Sequence, residues 1–247
     1  MSMKDYIKDL TTYVTSTGFF DKIKVSAGKK EIIVEAMERE KEVILKGKFL
    51  APLDDLQGDF GLSNLNLLQT IASDPEFAMT ESVITIDYES QNGQKSPSTL
   101  TYVNRSESEL HYRFMSKQLV PDQPKFAEPK WDIVVNPTKA NIQQFIWAAN
   151  GLSTYEQYFI PAVKDKNLRF YIGEDGSATQ RGGVVFASNI DVPFQSDHKW
   201  KVSLVQSLLK HAETTDCEMA FSVKGAIQIT LNTGLAEWKY IIPAKIK

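Results

Sequence analysis

The chain holds one cysteine, Cys217, in 247 residues. A single thiol excludes an internal disulfide and any metal site built from several cysteines. Cys217 opens the strand-like run CEMAF, which favours a buried structural thiol over a reactive one. Histidine is nearly as scarce: His111, His198 and His211 show no HxxxH or HExxH spacing for a metal. His111 lies in an alternating run and is expected to face solvent. No Walker loop occurs, and Gly182-Gly183 reads as a turn rather than a phosphate cradle. No catalytic residue and no cofactor is therefore expected, which weighs against an enzyme with an active site split between two halves. No apolar run approaches the roughly 18 residues needed to span a membrane. The opening MSMKDYIKDL is charged where a signal peptide would be apolar. A soluble, cytoplasmic protein with no membrane partner is expected.

What is present is a chain rich enough in apolar residues, 42%, to build real cores. Its net charge is −3, from 28 Lys and Arg against 31 Asp and Glu. A tight, stationary DNA binder would be basic overall. This balance still leaves room for a local basic face.

Four segments carry helical periodicity: about 3–16, 62–73, 137–149 and 204–212. Each has one apolar stripe, such as Ile142, Phe145, Ile146 and Ala149 in the third. Asn136 and Pro137 read as the N-cap and first position of that helix. Elsewhere the period is two, as in KIKVSA, EIIVEA, SVITIDY, LRFYIG, AIQITLN and AEWKYIIP. Sparse helices among many short strands indicate an α+β fold with mainly antiparallel sheet.

Residues 116–130, SKQLVPDQPKFAEPK, contain Pro121, Pro124 and Pro129 and read as a linker. It separates an N-terminal domain, 1–115, from a C-terminal domain, 131–247. The halves also resemble each other. Glu76–Thr80 and Glu218–Ser222 match in type, as do Ile84-Thr85-Ile86 and Ile227-Gln228-Ile229. Internal duplication accounts for this better than chance.

The wet faces of the helices carry the functional signal. Soluble helices mix Glu and Lys on their exposed side. Residues 62–73, 137–154 and 198–212 contain no Asp or Glu, although acids supply 31 of the 247 residues. They do contain Lys139, Gln143, Lys199, Lys201, Lys210 and His211. In the first helix Lys4 and Lys8 share a row with Thr11 and Thr15, beside a row of Asp5 and Asp9. Either the acids pair with the lysines within the helix, or the lysine row faces a partner. Lys4, Lys8, Lys139, Gln143, Lys199, Lys201, Lys210 and His211 are the candidate contacts for a polyanion approached without base reading. Trp131, Trp147, Trp200 and Trp238 lack the basic interleaving of a single-strand stacking platform; for Trp147, on the third helix, a core anchor is expected, with base contact as the alternative.

The stretch Leu208 to Ala212, then Cys217 to Ile229, then Ala236 to Ala244, resembles the last third of DNA sliding clamps. Leu62 to Phe77 and Lys139 to Leu152 resemble the second and third helices of the clamps of T4-like bacteriophages, including those that infect cyanobacteria. The resemblance covers nearly the whole chain and is weakest in the first 60 residues. It implies the DNA clamp fold, two similar domains each with two helices on curved, mainly antiparallel sheet. It also implies a closed homotrimeric ring around double-stranded DNA, with no enzymatic activity. An ATP-driven clamp loader and a DNA polymerase are the implied partners, in the cytoplasm of a host cell if the source is viral. The polymerase would dock a short peptide beside the linker. Leu119, Val120, Pro121, Ile241 and Pro243 are candidates for that pocket, with ordinary edge packing as the alternative. A β-rich viral structural protein remains the alternative function, although it would not need helices free of acids.

Overall fold

The computed structural model describes residues 1–91, 94–122, 128–173 and 180–245. Part of the expected linker, 123–127 with Pro124, lies outside the described residues. The chain divides into two compact units. The first is Met1–Lys125 with Thr233–Trp238; the second is Phe126–Asn232 with Lys239–Lys247. The proline-based boundary at 131–247 misses that part of the last strand belongs with the first unit.

The first unit runs α1 (Met3–Tyr13), β1 (Ile23–Ala27), β2 (Ile32–Met37), β3 (Ile44–Phe49), β4 (Gly58–Leu62), α2 (Leu65–Ala72), β5 (Val83–Gln91), β6 (Gln94–Val103) and β7 (Glu109–Arg113). The second runs β8 (Ile133–Val135), α3 (Lys139–Leu152), β9 (Tyr158–Lys164), β10 (Asn167–Ile172), β11 (Gly182–Ser188), β12 (Trp200–Lys201), α4 (Val202–His211), β13 (Asp216–Ser222) and β14 (Ala226–Asn232). Strand β15 (Ala236–Pro243) carries residues of both units.

After β8, the second unit repeats the plan of the first: a helix, four strands, a helix, then strands. The pairing repeats too. β1 lies antiparallel to β2 and β4, and β2 to β3. In the second unit β9 lies antiparallel to β10 and β12, and β10 to β11. The duplication is thus a property of topology. The residue blocks matched in sequence are not equivalent, because Glu76–Thr80 forms turns whereas Glu218–Ser222 lies in β13.

Local chemistry explains the helix starts. Ser2 and Asp5 form a capping box on α1. On α3 the cap is Thr138, not Asn136: its hydroxyl accepts the Asn141 N–H at 3.2 Å. Pro137 therefore precedes the cap. Strand burial alternates on β1, β2 and β10, as a sheet wet on one face requires.

Each unit has its own core. In the first, Phe49 meets Tyr6 at 4.5 Å and Trp238 at 5.3 Å between ring centroids. Gly47 makes room for Trp238, since a Cβ there would lie 2.3 Å from Cζ3 of the indole. In the second, Phe170 stacks on Phe186 at 4.2 Å and meets Phe145 edge-on at 5.3 Å. Cys217 is half-buried, and burial pushes its thiol up to about 12. Among the described residues, no helix is long and apolar enough to cross a membrane.

Candidate nucleic-acid interface

In the second unit, α3 buries Ile142, Phe145, Ala148 and Ala149. Its opposite side leaves Lys139, Gln143 and Trp147 exposed at i, i+4 and i+8. At 1.5 Å per residue that row is about 12 Å long. Helix α4 packs beside α3 and buries Val202, Val205, Leu208 and Leu209. It leaves Ser203 and Lys210 exposed. Gln206 ties the helices together, its amide donating to Asn150 Oδ1 at 2.7 Å and to the Ile146 carbonyl at 3.4 Å. Neither helix contains an acid. Lys139 and Lys210 form no ion pair among the described residues. The pair of helices therefore presents cations and amide or hydroxyl groups with no carboxylate to neutralise them.

The other candidates of this unit stand apart from that row. Lys201 caps the start of α4 and is half-buried. The Lys199 ammonium lies 4.9 Å from the centre of the Tyr158 ring. Lys245 lies 5.2 Å from the same ring and donates to the Tyr158 hydroxyl at 2.9 Å. Sequence reasoning misses Lys245, because a terminal lysine carries no periodic signal. His211 is half-buried at the end of α4. Burial, then the neighbouring Lys210 charge, lowers its pKa, so it is a neutral donor or acceptor at pH 7 rather than a cation. Trp147 is 75% exposed, which overturns its expected role as a core anchor. A signal for this exists in the sequence: position 147 falls opposite the stripe of Ile142, Phe145 and Ala149.

In the first unit the two lysines of α1 differ. Lys8 is exposed. The half-buried Lys4 is held inward, donating to the Met79 carbonyl at 2.5 Å and Ser82 Oγ at 2.6 Å. Thr11 and Thr15 are buried, so the exposed row runs Lys8, Thr12, Ser16 rather than through the expected threonines. The acids do not pair with these lysines. Asp5 accepts from Ser2, whose backbone N–H and hydroxyl hold its carboxyl below the ordinary range. Asp9 is buried and accepts from Trp238 Nε1 at 2.9 Å and Thr233 Oγ1 at 3.2 Å. Burial raises its pKa against both hydrogen bonds. Asp9 is thus engaged away from the Lys8 row, whereas Asp5 is exposed and the Lys8 charge also helps to lower its pKa. On α2 the exposed residues are Asn66 and Thr70, again without an acid.

Of the five residues suggested for peptide docking, Leu119, Val120 and Pro121 belong to the first unit, and Ile241 and Pro243 to the second. Leu119 is 61% exposed and Pro121 is exposed. Val120 is buried beside Gly61. Ile241 is buried in the second unit and Pro243 is exposed. Of the five side chains, Val120 and Ile241 offer almost no surface.

No protein-family model matches the chain, and no curated protein matches it. Solved structures do. One is PCNA of A. fulgidus bound to the C-terminal region of FEN-1, with 13% identity and a TM-score of 0.72, covering 99% of this chain and 96% of that one. Another is PCNA of Thermococcus kodakaraensis, with 10% identity and a TM-score of 0.72, covering 99% and 98%. The chain has the PCNA clamp fold: α+β, with few helices on antiparallel sheets.

Proposed function

We propose that the chain is one subunit of a DNA sliding clamp, a non-enzymatic ring that encircles duplex DNA and tethers a replicative polymerase. The carrying observation is the acid-free exposed face of α3 and α4, read as the helix-lined inner surface of the ring, in a chain with the clamp fold. A few lysines per subunit give weak, salt-dependent attraction to phosphate. Glutamine and serine can exchange contacts along the backbone without reading bases. Enclosure, rather than affinity, then keeps the protein on DNA. The DNA-facing set is Lys8, Lys139, Gln143 and Lys210, with Lys199 and Lys201 at the start of α4, and with Lys4 and a neutral His211 in lesser roles.

Ring closure needs a head-to-tail contact between one edge of each unit. Among the described residues β4, β5, β7, β8, β11 and β12 stand at sheet edges. Such edges support assembly through β pairing, and three subunits would close the circle. An ATP-driven loader would open it. The polymerase peptide would dock beside the linker, for which Leu119, Val120, Pro121, Ile241 and Pro243 are the candidates. The specific likeness to clamps of T4-like phages, and with it a host-cell location, rests on the sequence segments quoted above.

Mass measurement and primer extension test this reading. A stable species near three times 27.9 kDa is expected. With cognate polymerase and loader, stimulation should persist on circular DNA and fall on linear DNA, from whose ends a ring slides off. A clean monomer at micromolar concentration, or equal stimulation on both templates, overturns it.

A further inference from the structure

We propose that Trp147 is a stacking platform for unpaired bases, so that the α3 face engages single-stranded DNA beside a primer–template junction as well as duplex. The inference rests on the clamp reading and adds a second nucleic-acid substrate to the same face.

Among the four tryptophans, Trp200 and Trp238 are fully buried. The Trp200 indole donates to the Ile242 carbonyl at 3.1 Å, and that of Trp238 to Asp9. Trp131 is half-buried, and its indole donates to Glu128 at 3.2 Å. Each of these has work within the fold. Trp147 does not: three-quarters of the largest side chain in the protein faces solvent. Such exposure is unfavourable in water and is relieved when a ligand covers the ring.

The neighbours define that ligand. Lys139 and Gln143 lie in the same row, and Gln144 and Asn150 flank it, all exposed. No carboxylate occurs anywhere on α3 or α4. The rim of a protein-binding hot spot is itself polar, so polarity alone does not choose the ligand; the lack of carboxylates beside a lysine does. Here the rim consists of amides and a lysine, which suits phosphate. An aromatic ring set among backbone-contacting residues is the arrangement by which single strands are held without sequence preference. Intact duplex presents base edges in its grooves, not base faces. Stacking therefore requires unpaired bases, and those adjoin duplex at the growing end of a primer.

The test uses the full chain labelled with fluorotryptophan, the Trp147 resonance being identified by its loss in Trp147→Phe. Titration with oligothymidine and with a primer–template junction should shift that resonance further than blunt duplex, which contacts the same row without stacking on the ring. Trp147→Ala should weaken oligothymidine binding about 5- to 150-fold, the range for removal of one stacked base. Trp147→Phe should retain part of it, and duplex binding should be unchanged in both. Equal response of the resonance to blunt duplex, or unchanged oligothymidine affinity in Trp147→Ala, overturns the proposal. Lys139→Glu separates the two claims. If it leaves duplex binding intact, the clamp reading of this face fails. If duplex binding falls while oligothymidine ignores Trp147→Ala, only the stacking role fails.

Discussion

Replacing both Lys139 and Lys210 with alanine isolates the electrostatic part of the candidate interface. Both side chains are exposed, and neither has an ion-pair partner among the described residues, so truncation breaks no salt bridge there. If each lysine meets one phosphate, each contributes a slope of about −0.9 to log K against log salt concentration. A fourfold rise in salt then weakens binding about 3.5-fold per contact, or about 12-fold for the two contacts of one engaged subunit. The double variant should show a slope shallower by about 1.8 per engaged subunit. Fluorescence anisotropy of labelled duplex across a salt series measures this directly, and a thermal melt checks that the fold is intact. An unchanged slope, with weaker binding or without it, refutes the assignment of these lysines to phosphate. Charge reversal by Lys139→Glu and Lys210→Glu should go further and reduce polymerase stimulation while leaving the oligomer intact.

Gly47→Ala should destabilise the first unit by about 1–3 kcal/mol or more, because the new methyl would meet the buried Trp238 ring at 2.3 Å; a melting temperature within a degree of the parent would refute that packing. Asp9 carries a pKa above its ordinary 3.8. The unfolded chain therefore ionises first, and the stability this carboxyl contributes at low pH is lost as pH rises through the folded pKa. Asp9→Asn removes that loss, so the variant should gain on the parent as pH rises above the ordinary 3.8 in denaturant titrations; a constant difference, or one of opposite sign, refutes it. Cys217, with its thiol near 12, should react slowly with a disulfide reagent at neutral pH and quickly after unfolding; rapid reaction of the native protein would refute its burial.

Elements whose pattern is local can be read from the residues alone. All four helices lie within a few residues of their apolar stripes, since a 3.6-residue period is written in the side chains that must be buried. Most strands are equally legible, and with them the fold class. The strands that escape a reading of the residues do so for physical reasons. β4 contains two glycines, β9 contains Pro161, and β8 and β12 hold only three and two residues. Such segments become strands because neighbouring strands offer hydrogen bonds, and no local signal reports that. The candidate site divides in the same way. The absence of acids from α2, α3 and α4 is a fact of composition, visible in the order of the residues. Long-range packing, by contrast, turns Asp9 into the core toward Trp238 and holds Lys4 against Met79 and Ser82. The same packing makes Thr12 and Ser16, not Thr11 and Thr15, continue the Lys8 row. Which way a polar side chain faces depends on the partners the rest of the chain brings to it, often from far away in sequence: Asp9 meets its indole 229 residues later.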